Sequence, residues 1–493
     1  MPSSNRTQVT SVRETTVGTT PGTPRMRLRR VNGEELRLVP LFLESNETRP
    51  DGMASDVIRG GKQSDGSVPY DMIYPFPDSP NDTDICSAFY NDFTNTATRF
   101  NDGTADSVIT AVATTGEVVT CTTGTAFVAG QLVRLTGFGV SGNNVVAKCT
   151  TGSATVPAFV GAGLTDEAAP AAAARMKVVG FQGASGDITA TATGLGSTSL
   201  NFTTLGLAVG QWIKIGGSAT ADKFATAALN STARITAIAA TALTLDHRPT
   251  GWTTDAGTSK TIKVWVGDQI KNGTTQVGQT FERGFLGQGT PNYFVQPGMV
   301  VSNQAFNFAL NQPVLVANTY QGMGGSFSTS PLDASPDASL PIATYPTFVT
   351  RVHIARFTEG GTTNSSPNFL RGMTIAINNN STMIEAIDAE AAQGITKHAL
   401  AVTGTAEFYF GNNALLTKYF AGTPTSLSTY AYNSLSGQAL IFAIPRVIFA
   451  GDGSPNASGR NVDVMLPLSW TASKDETVTN AMITLDRFEY VEN

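Results

Sequence analysis

Residues that commonly carry out catalysis are few and scattered in this chain. None of its three histidines, His247, His353 and His398, has another metal-ligating side chain at position i+2, i+3 or i+4, the close spacing that zinc sites use. The sequence also lacks His-Glu-x-x-His, Gly-x-Ser-x-Gly and the phosphate-binding Gly-x-x-x-x-Gly-Lys. We therefore expect no metal, no cofactor and no enzymatic activity.

Three weaker patterns are better interpreted as turns or loops. The glycines of Gly322-Met-Gly-Gly follow a strand-like segment without opening a helix, so they do not match a nucleotide-binding loop. Gly451-Asp-Gly-Ser-Pro-Asn lacks the downstream glutamate of a calcium loop. Asp333 and Asp337 are a carboxylate pair of the type that glycosidases use, but the sequence does not place them face to face.

The composition favours an all-β protein. Charged residues are only 14% of 493, and glycine, threonine and asparagine are abundant, which is typical of strands joined by many turns. Three scattered cysteines are too few for a disulfide framework and are expected to be buried thiols. The polar first residues do not resemble a signal peptide, and no apolar run is long enough for a membrane span, so we expect no membrane insertion.

The strand pattern is clearest in residues 279–328. Phe306, Phe308 and Leu310 fall on one face of a predicted antiparallel strand, with polar or small residues between them. Further strands are predicted at residues 348–357, 370–377, 402–410, 439–449, 462–470 and 481–488. Short helices are predicted after Asn81 or Asp82 and from Asn412 or Asn413 to Gly422.

An internal repeat occupies the middle of the chain. FVAGQLVRLTGF at residues 127–138 aligns with LAVGQWIKIGGS at residues 207–218, an offset of 80. The repeat predicts two tandem β modules, at 106–185 and 186–267, inserted in the surface of a main domain made of 25–105 and 268–493.

The amino-terminal segment is basic and almost without apolar anchors. Up to residue 30 it has six arginines and one glutamate, a net charge of +5. We predict a flexible arm over residues 1–24. It is either a solvated tail or an arm that binds a neighbouring, acidic copy.

Two sets of segments resemble the tail tube (major tail) proteins of long-tailed, non-contractile bacteriophages. The first is TFERGF, NYFV and GGSFSTSPLDAS between residues 280 and 335; the second is TGTAEFYFGNNALLTKYF and LIFAIPRVIFAGDG between 403 and 453. The resemblance covers about residues 24–101 and 268–493. The order of the matching segments is more specific to the family than any single motif. It extends to the flagellum-attaching Chi-like group of phages. Residues 106–267 depart from the family pattern.

The resemblance implies a structural virion protein. Its fold would be a tail-tube β-sandwich or barrel that closes into a ring with other subunits. Hexameric rings would stack into a tube, made in the host cytoplasm together with tape-measure and tail terminator or initiator proteins. Phage DNA would pass through an acidic, Ser/Thr/Asn-lined bore without specific binding, because lysine or arginine contacts would hold its phosphates.

Contacts between subunits or rings are expected from the arm and from a loop at residues 44–66. The candidate residues are Arg6, Arg13, Arg25, Arg27, Arg29, Arg30, Glu47, Arg49, Asp51 and Arg59. The two modules would project outward, either as passive decoration or as weak binders of the host surface.

Two other classes of protein remain open at the level of sequence. A tail fibre or adhesin would use the repeats to bind a carbohydrate and would form trimers. A secreted polysaccharide-degrading enzyme would need a carboxylate pair in a cleft and, usually, a signal sequence.

Overall fold

The computed structural model describes residues 6–53, 56–101, 108–363, 367–451, 453–457 and 459–492. Antiparallel strands dominate this part of the chain, with three α-helices. The predicted all-β fold class is therefore confirmed. The described strands of one chain do not close into a barrel by themselves.

The chain begins with five strands and a helix: β1 (Thr7–Arg13), β2 (Arg27–Leu28), β3 (Arg37–Glu44), β4 (Val57–Ser67), β5 (Tyr70–Asp71) and α1 (Pro80–Phe89). Ser79 is the N-cap residue of helix α1, and its hydroxyl accepts a hydrogen bond from the Asp82 N–H at 3.2 Å. Pro80 at the first helical position has no N–H to satisfy and its backbone angle suits a helix, so the helix begins before the predicted Asn81 or Asp82.

Strand β1 lies where the sequence predicted a flexible arm. Its seven residues pair in antiparallel register with residues 279–285, and Val9 is buried. Glu14, just after the strand, accepts hydrogen bonds from the Thr280 hydroxyl at 2.6 Å and the Gly298 N–H at 2.9 Å. The prediction of a flexible arm is wrong for residues 7–13. Their pairing partner is a strand far away in the sequence, which the local composition does not show. Residues 1–5 lie outside the described residues.

The next strand, β6 (Thr98–Phe100), precedes the segment that the sequence predicts to be inserted, and that segment, which we call the inserted region, contains twelve strands: β7 (Ile109–Ala113), β8 (Val118–Cys121), β9 (Gln131–Thr136), β10 (Val146–Lys148), β11 (Glu167–Ala168), β12 (Arg175–Gln182), β13 (Thr189–Ala190), β14 (Gly194–Gly196), β15 (Trp212–Ile215), β16 (Thr232–Ala239), β17 (Ala242–Asp246) and β18 (Lys263–Val266). Two hydrophobic clusters fill it, one within residues 97–178 and the other within 181–266. One sheet runs through both, since β12 pairs with β18.

The repeated segments make the same local hydrogen bonds. Gln131 Oε1 accepts the Val128 N–H at 2.8 Å, and Gln211 Oε1 accepts the Ala208 N–H at 3.1 Å. Gln131 is the first residue of β9, and Gln211 immediately precedes β15 of the same sheet. The two turns therefore repeat at the offset of 80 residues seen in the sequence.

The remaining elements are β19 (Asp268–Lys271), β20 (Gln279–Phe285), β21 (Asn292–Phe308), β22 (Leu315–Gly322), β23 (Ser326–Ser328), α2 (Thr350–His353), β24 (Ile354–Glu359), β25 (Thr362–Thr363), β26 (Leu370–Asn378), β27 (Thr382–Ile384), β28 (Gly394–Thr396), β29 (Ala401–Tyr409), α3 (Ala414–Ala421), β30 (Thr425–Asn433), β31 (Gln438–Ala450), β32 (Met465–Ala472) and β33 (Thr484–Phe488). Helix α3 ends at Gly422 in the left-handed conformation, as predicted.

The strands of the main domain form two layers around one core. One layer has the order β22–β21–β26–β29–β32, and the other has the order β24–β30–β31–β33–β19. Phe306 of the first layer meets Phe442 of the second with ring centroids 4.9 Å apart. Strand β31 joins the layers at one edge, because its first half pairs with β33 and its second half with β32.

Two sequence predictions need adjustment here. Phe306 and Phe308 are buried core residues, but Leu310 lies beyond the end of β21 and is 49% exposed. The strand predicted at 348–357 begins instead with the short helix α2.

All three cysteines are buried. No helix in the described ranges is long and apolar enough to cross a membrane.

Candidate assembly surfaces

The first layer has an outer face that no described part of the chain covers, which we call the open face. Alternate residues of its five strands point inward to the core, and the residues between them point outward. The outward positions are partly or fully exposed and mostly small: Asn303, Ala305, Asn307, Ala317, Thr319, Thr374, Ala376, Asn378, Thr403, Thr405, Pro467, Ser469 and Thr471. A water-exposed sheet face commonly carries long charged side chains, so this composition indicates a smooth surface with a specific use.

The open face is almost neutral. Glu407 is the one carboxylate among the outward residues of these five strands, all of which lie in the described ranges, and it pairs with Arg371 at 3.4 Å. Threonine hydroxyls meet across the strands, as between Thr374 and Thr405 at 2.9 Å. The open face is thus rich in threonine and asparagine and carries little net charge.

The outer face of the second layer is covered by the inserted region. Tyr430, Ile441 and Phe488 form a cluster with Trp212 and Trp265 of the inserted strands. The buried aromatic area makes this contact part of the core rather than a loose tether. The open face and the inserted region thus lie on opposite sides of the sandwich.

Buried charges reinforce this seam between the inserted region and the main domain. Asp268 binds Lys177 Nζ at 2.8 Å and Arg487 Nε at 3.0 Å, and Arg487 also pairs with Asp82. Burial alone would raise the pKa of Asp268, but Lys177 and Arg487 outweigh it and lower the pKa to about 2. A second pair, Arg175 with Glu489 at 2.6 Å, crosses the same seam.

Asp486 is a buried carboxyl at the seam whose hydrogen bonds come from neutral donors. It accepts the Trp212 N–H at 3.1 Å and the Gln269 side-chain amide at 3.0 Å. Burial raises its pKa to about 7 despite these bonds.

The hairpin formed by β3 and β4 is exposed and apolar. Phe42 is 62% exposed, Leu43 63% and Ile58 61%, and Met53 near the tip is 68% exposed. Its base is anchored where β4 pairs with β22 between Thr319 and Gly322, and Lys62 donates its backbone N–H to the Glu390 carbonyl at 2.5 Å. A two-stranded hairpin with this much exposed apolar surface is the mark of an interaction site.

The predicted candidates in this hairpin lie at or near its end. Residues 57–66 of the candidate loop segment 44–66 belong to strand β4. Arg49 and Asp51 pair with each other at 3.0 Å, and Glu47 is exposed beside them. Arg59 pairs with Glu390, at 3.1 Å, in the loop between β27 and β28.

The predicted arginines of the amino-terminal segment mostly bind their own chain. Arg13 pairs with Asp92 at 2.6 Å, Arg25 and Arg27 pair with Asp337 at 2.8 and 3.3 Å, and Arg30 donates to the Tyr345 carbonyl at 2.8 Å. Arg6 is exposed.

Arg29 is buried against Asp84 and lies 3.1 Å from Gln279 Oε1. It is a core residue of the subunit rather than a surface contact. The expectation that it reaches a neighbouring copy is therefore corrected.

Sequence reasoning missed the two most distinctive surfaces, the open face and the apolar hairpin edge. The signal for the hairpin was the unbroken apolar run around Phe42 and Leu43, which does not alternate as a half-buried strand should.

The described residues contain no cluster of three or more His, Cys, Asp or Glu able to hold a metal.

Comparison with known proteins identifies the family. A family model described as "phage tail tube protein" matches residues 166–472, more than half of the chain. The matched range begins inside the first predicted module and includes the second. No curated protein matches the chain. The chain therefore belongs to the phage tail tube protein family, whose members are structural proteins of the virion tail that assemble with other subunits into a tube.

Proposed function

We propose that the chain forms stacked hexameric rings in the tail tube of a long-tailed, non-contractile phage, and that this tube conducts the DNA during ejection. The observation that carries the proposal is the pairing of an open, neutral face on one side of the sandwich with the inserted region on the other. A ring of such subunits has one orientation that leaves the bore unobstructed, with the open faces inward and the inserted region outward.

The open face suits a sliding DNA duplex. Its small Thr, Ser, Asn and Ala side chains leave a smooth wall, and its one arginine, Arg371, is neutralised by Glu407. Lysine or arginine side chains that reach phosphates release counterions and hold the duplex. A wall that presents hydroxyl and amide groups avoids that attraction, and a neutral wall also avoids strong repulsion.

The β3–β4 hairpin is proposed as the contact between rings or neighbouring subunits. Its exposed Phe42, Leu43 and Ile58 would be buried by a second copy. Obligate interfaces of this type bury on the order of 2,000 Å² or more. Arg49, Asp51 and Arg59 would lie at the rim of such a contact.

Residues 106–185 and 186–267 are proposed as a two-module insertion on the outside of the tube, either decorative or binding the host surface weakly. The tape-measure and tail terminator or initiator proteins are the expected partners at the bore and the ends, with assembly in the host cytoplasm. Kinship to the Chi-like phages is part of the same proposal and rests on the sequence resemblance alone.

Negative-stain electron microscopy of the purified chain, before and after concentration, tests the proposal. Six-fold rings or tubes with a central hole and outward knobs are the expected result. Monodisperse trimers that never form rings would overturn it and favour the tail-fibre or adhesin alternative, for which a glycan-binding screen of the intact chain would follow.

A further inference from the structure

A cleft of about 850 Å³ lies between the second module and the main domain. Arg234 and His247 line it from the module. Arg446, Ser473 and Lys474 line it from the strand β31 and the segment after β32. Nothing in the tube function described above uses this cleft.

Two buried donors in the cleft have no hydrogen-bond partner among the described residues. Arg234 binds Asp246 through Nε at 2.9 Å and Nη2 at 2.5 Å, which leaves Nη1 buried and unpaired. The Ser473 hydroxyl is also buried and unpaired. Unpaired buried polar groups are uncommon in folded proteins and indicate a missing partner.

The charged groups around these donors favour an anion. Arg446 and Lys474 are exposed on the cleft wall and form no ion pair within the described ranges. Asp475 also lines the cleft, but both of its oxygens accept hydrogen bonds from Thr477 and Thr479, at 2.6–3.0 Å. Asp475 and Glu476 are thus the two carboxylates of the lining that oppose an incoming anion, against the three cations Arg234, Arg446 and Lys474.

His247 adds a fixed ring to the cleft. It stacks on Trp212 with ring centroids 5.4 Å apart and an interplanar angle of 10°. Burial lowers its pKa to about 4, so near neutral pH the imidazole is uncharged and offers one N–H. A bound anion would stabilise the protonated ring and raise that pKa.

We propose that this cleft binds a small oxyanion, either free phosphate or a carboxylate of a neighbouring copy in the tube. Guanidinium, ammonium and hydroxyl donors are the groups that recognise both, through charge-assisted hydrogen bonds. The Arg234 Nη1 and Ser473 donors would bind the anion at the bottom of the cleft, and Arg446 and Lys474 would neutralise it at the mouth.

The first test is a titration of the full-length chain, at concentrations where it is monomeric, with inorganic phosphate, followed by NMR of the histidine rings. A saturable shift of the His247 signal and a rise in its pKa are expected. His353 and His398, which do not line the cleft, serve as internal references. No saturable shift of His247 would overturn the proposal, whether or not the chain forms tubes.

Three variants sharpen the test. Arg446→Ala with Lys474→Ala should weaken phosphate binding at least tenfold, and Glu476→Gln should strengthen it severalfold. These residues are exposed, so their replacement leaves the fold intact. Lys260→Ala, at a partly exposed lysine outside the cleft, should change nothing. Equal phosphate affinity in the double variant and the unchanged chain would overturn the site.

The source of the anion is decided in assembled tubes. If a neighbour's carboxylate fills the cleft, tubes should no longer bind phosphate and excess phosphate should slow their assembly. If the ligand is free phosphate, tubes should bind it with the affinity of the monomer. Both results agree with an oxyanion site and distinguish its two sources.

Discussion

Lys177 Nζ lies 2.8 Å from Asp268 Oδ1, and both side chains are almost completely buried. The pair joins strand β12 of the inserted region to strand β19 of the main domain. A surface insertion attached only by its two ends would not need such a contact. The inserted region is therefore docked as part of the subunit, and its removal or loosening should affect the stability of the whole chain.

Asp268→Asn should destabilise the chain strongly. The substitution leaves the Lys177 ammonium buried without its carboxylate, and breaking one partner of a buried pair costs about 3–5 kcal/mol. Urea denaturation measures the loss. Arg49→Ala, which removes an exposed pair at the hairpin, is the control and should have little effect on unfolding. An Asp268→Asn chain as stable as the unchanged protein would show that the seam does not depend on this pair.

Asp486 should make the protein less stable as the pH rises from about 4 to 7. Its pKa is about 7 in the folded chain and about 4 when unfolded, so over this range the folded state holds a proton that the unfolded state has lost. Linkage then lowers the unfolding free energy as the pH increases. Asp486→Asn should remove this slope, which denaturation of both proteins between pH 4.5 and 8 would show. A slope unchanged by the substitution would exclude Asp486 as its source.

Asp268 should make the protein more stable as the pH rises from about 2 to 4, which is the opposite of the effect of Asp486. The pKa of Asp268 is lowered to about 2, so its contribution is present above about pH 4 and is lost as the pH falls toward 2. Acid unfolding of the unchanged chain should therefore be steeper between pH 4 and 2 than that of Asp268→Asn. Parallel acid transitions of the two proteins would contradict this.

Much of the fold was predictable because its signals are local. The alternation around Phe306 and the cap at Gly422 each depend on a few neighbouring residues, and the structure has the expected strand and helix there. Strand β1 was missed because its partner, β20, is more than 250 residues away. Asp268 and Lys177 look like solvent-exposed residues in the sequence, and only the docking of the modules buries them.

The assembly surfaces were less predictable because they too depend on contacts between distant segments. An outward threonine such as Thr405 cannot be told from any exposed threonine until the pairing of five strands places it on one face. Composition gives the charge of the amino-terminal segment but not the partners of its arginines. Arg29 is the clearest case, since its carboxylate partner, Asp84, lies on helix α1.

Phe42→Asp combined with Leu43→Asp should block tube assembly without unfolding the subunit. Both side chains are more than 60% exposed in the single chain, so their replacement removes little of its core. Charges placed in an interface that must be desolvated oppose association. Sedimentation velocity and electron microscopy would measure assembly, and circular dichroism the fold. Val160→Asp, an equally exposed apolar position in the first module, is the control. Normal tubes from the double variant would exclude the hairpin as a contact.

Thr403→Lys combined with Thr405→Lys should slow DNA ejection from assembled virions. Both threonines are exposed on the open face, so the lysines should be accommodated without loss of the fold. In the proposed hexamer they would add a ring of ammonium groups to the bore, and phosphates that contact them would release counterions and bind. Because this attraction is screened by salt, raising the ionic strength should restore much of the rate.

The matched control is Thr403→Gln with Thr405→Gln, which adds bulk without charge. Time-resolved dye uptake by the released DNA would measure ejection for both variants at low and high salt. Slow ejection by the lysine variant alone, relieved by salt, would place these threonines in the bore. Equal slowing by the glutamine variant would instead indicate a steric effect. Normal ejection by the lysine variant at low salt would mean that the open face does not line the path of the DNA, and the assignment of the two sides of the sandwich would have to be reversed.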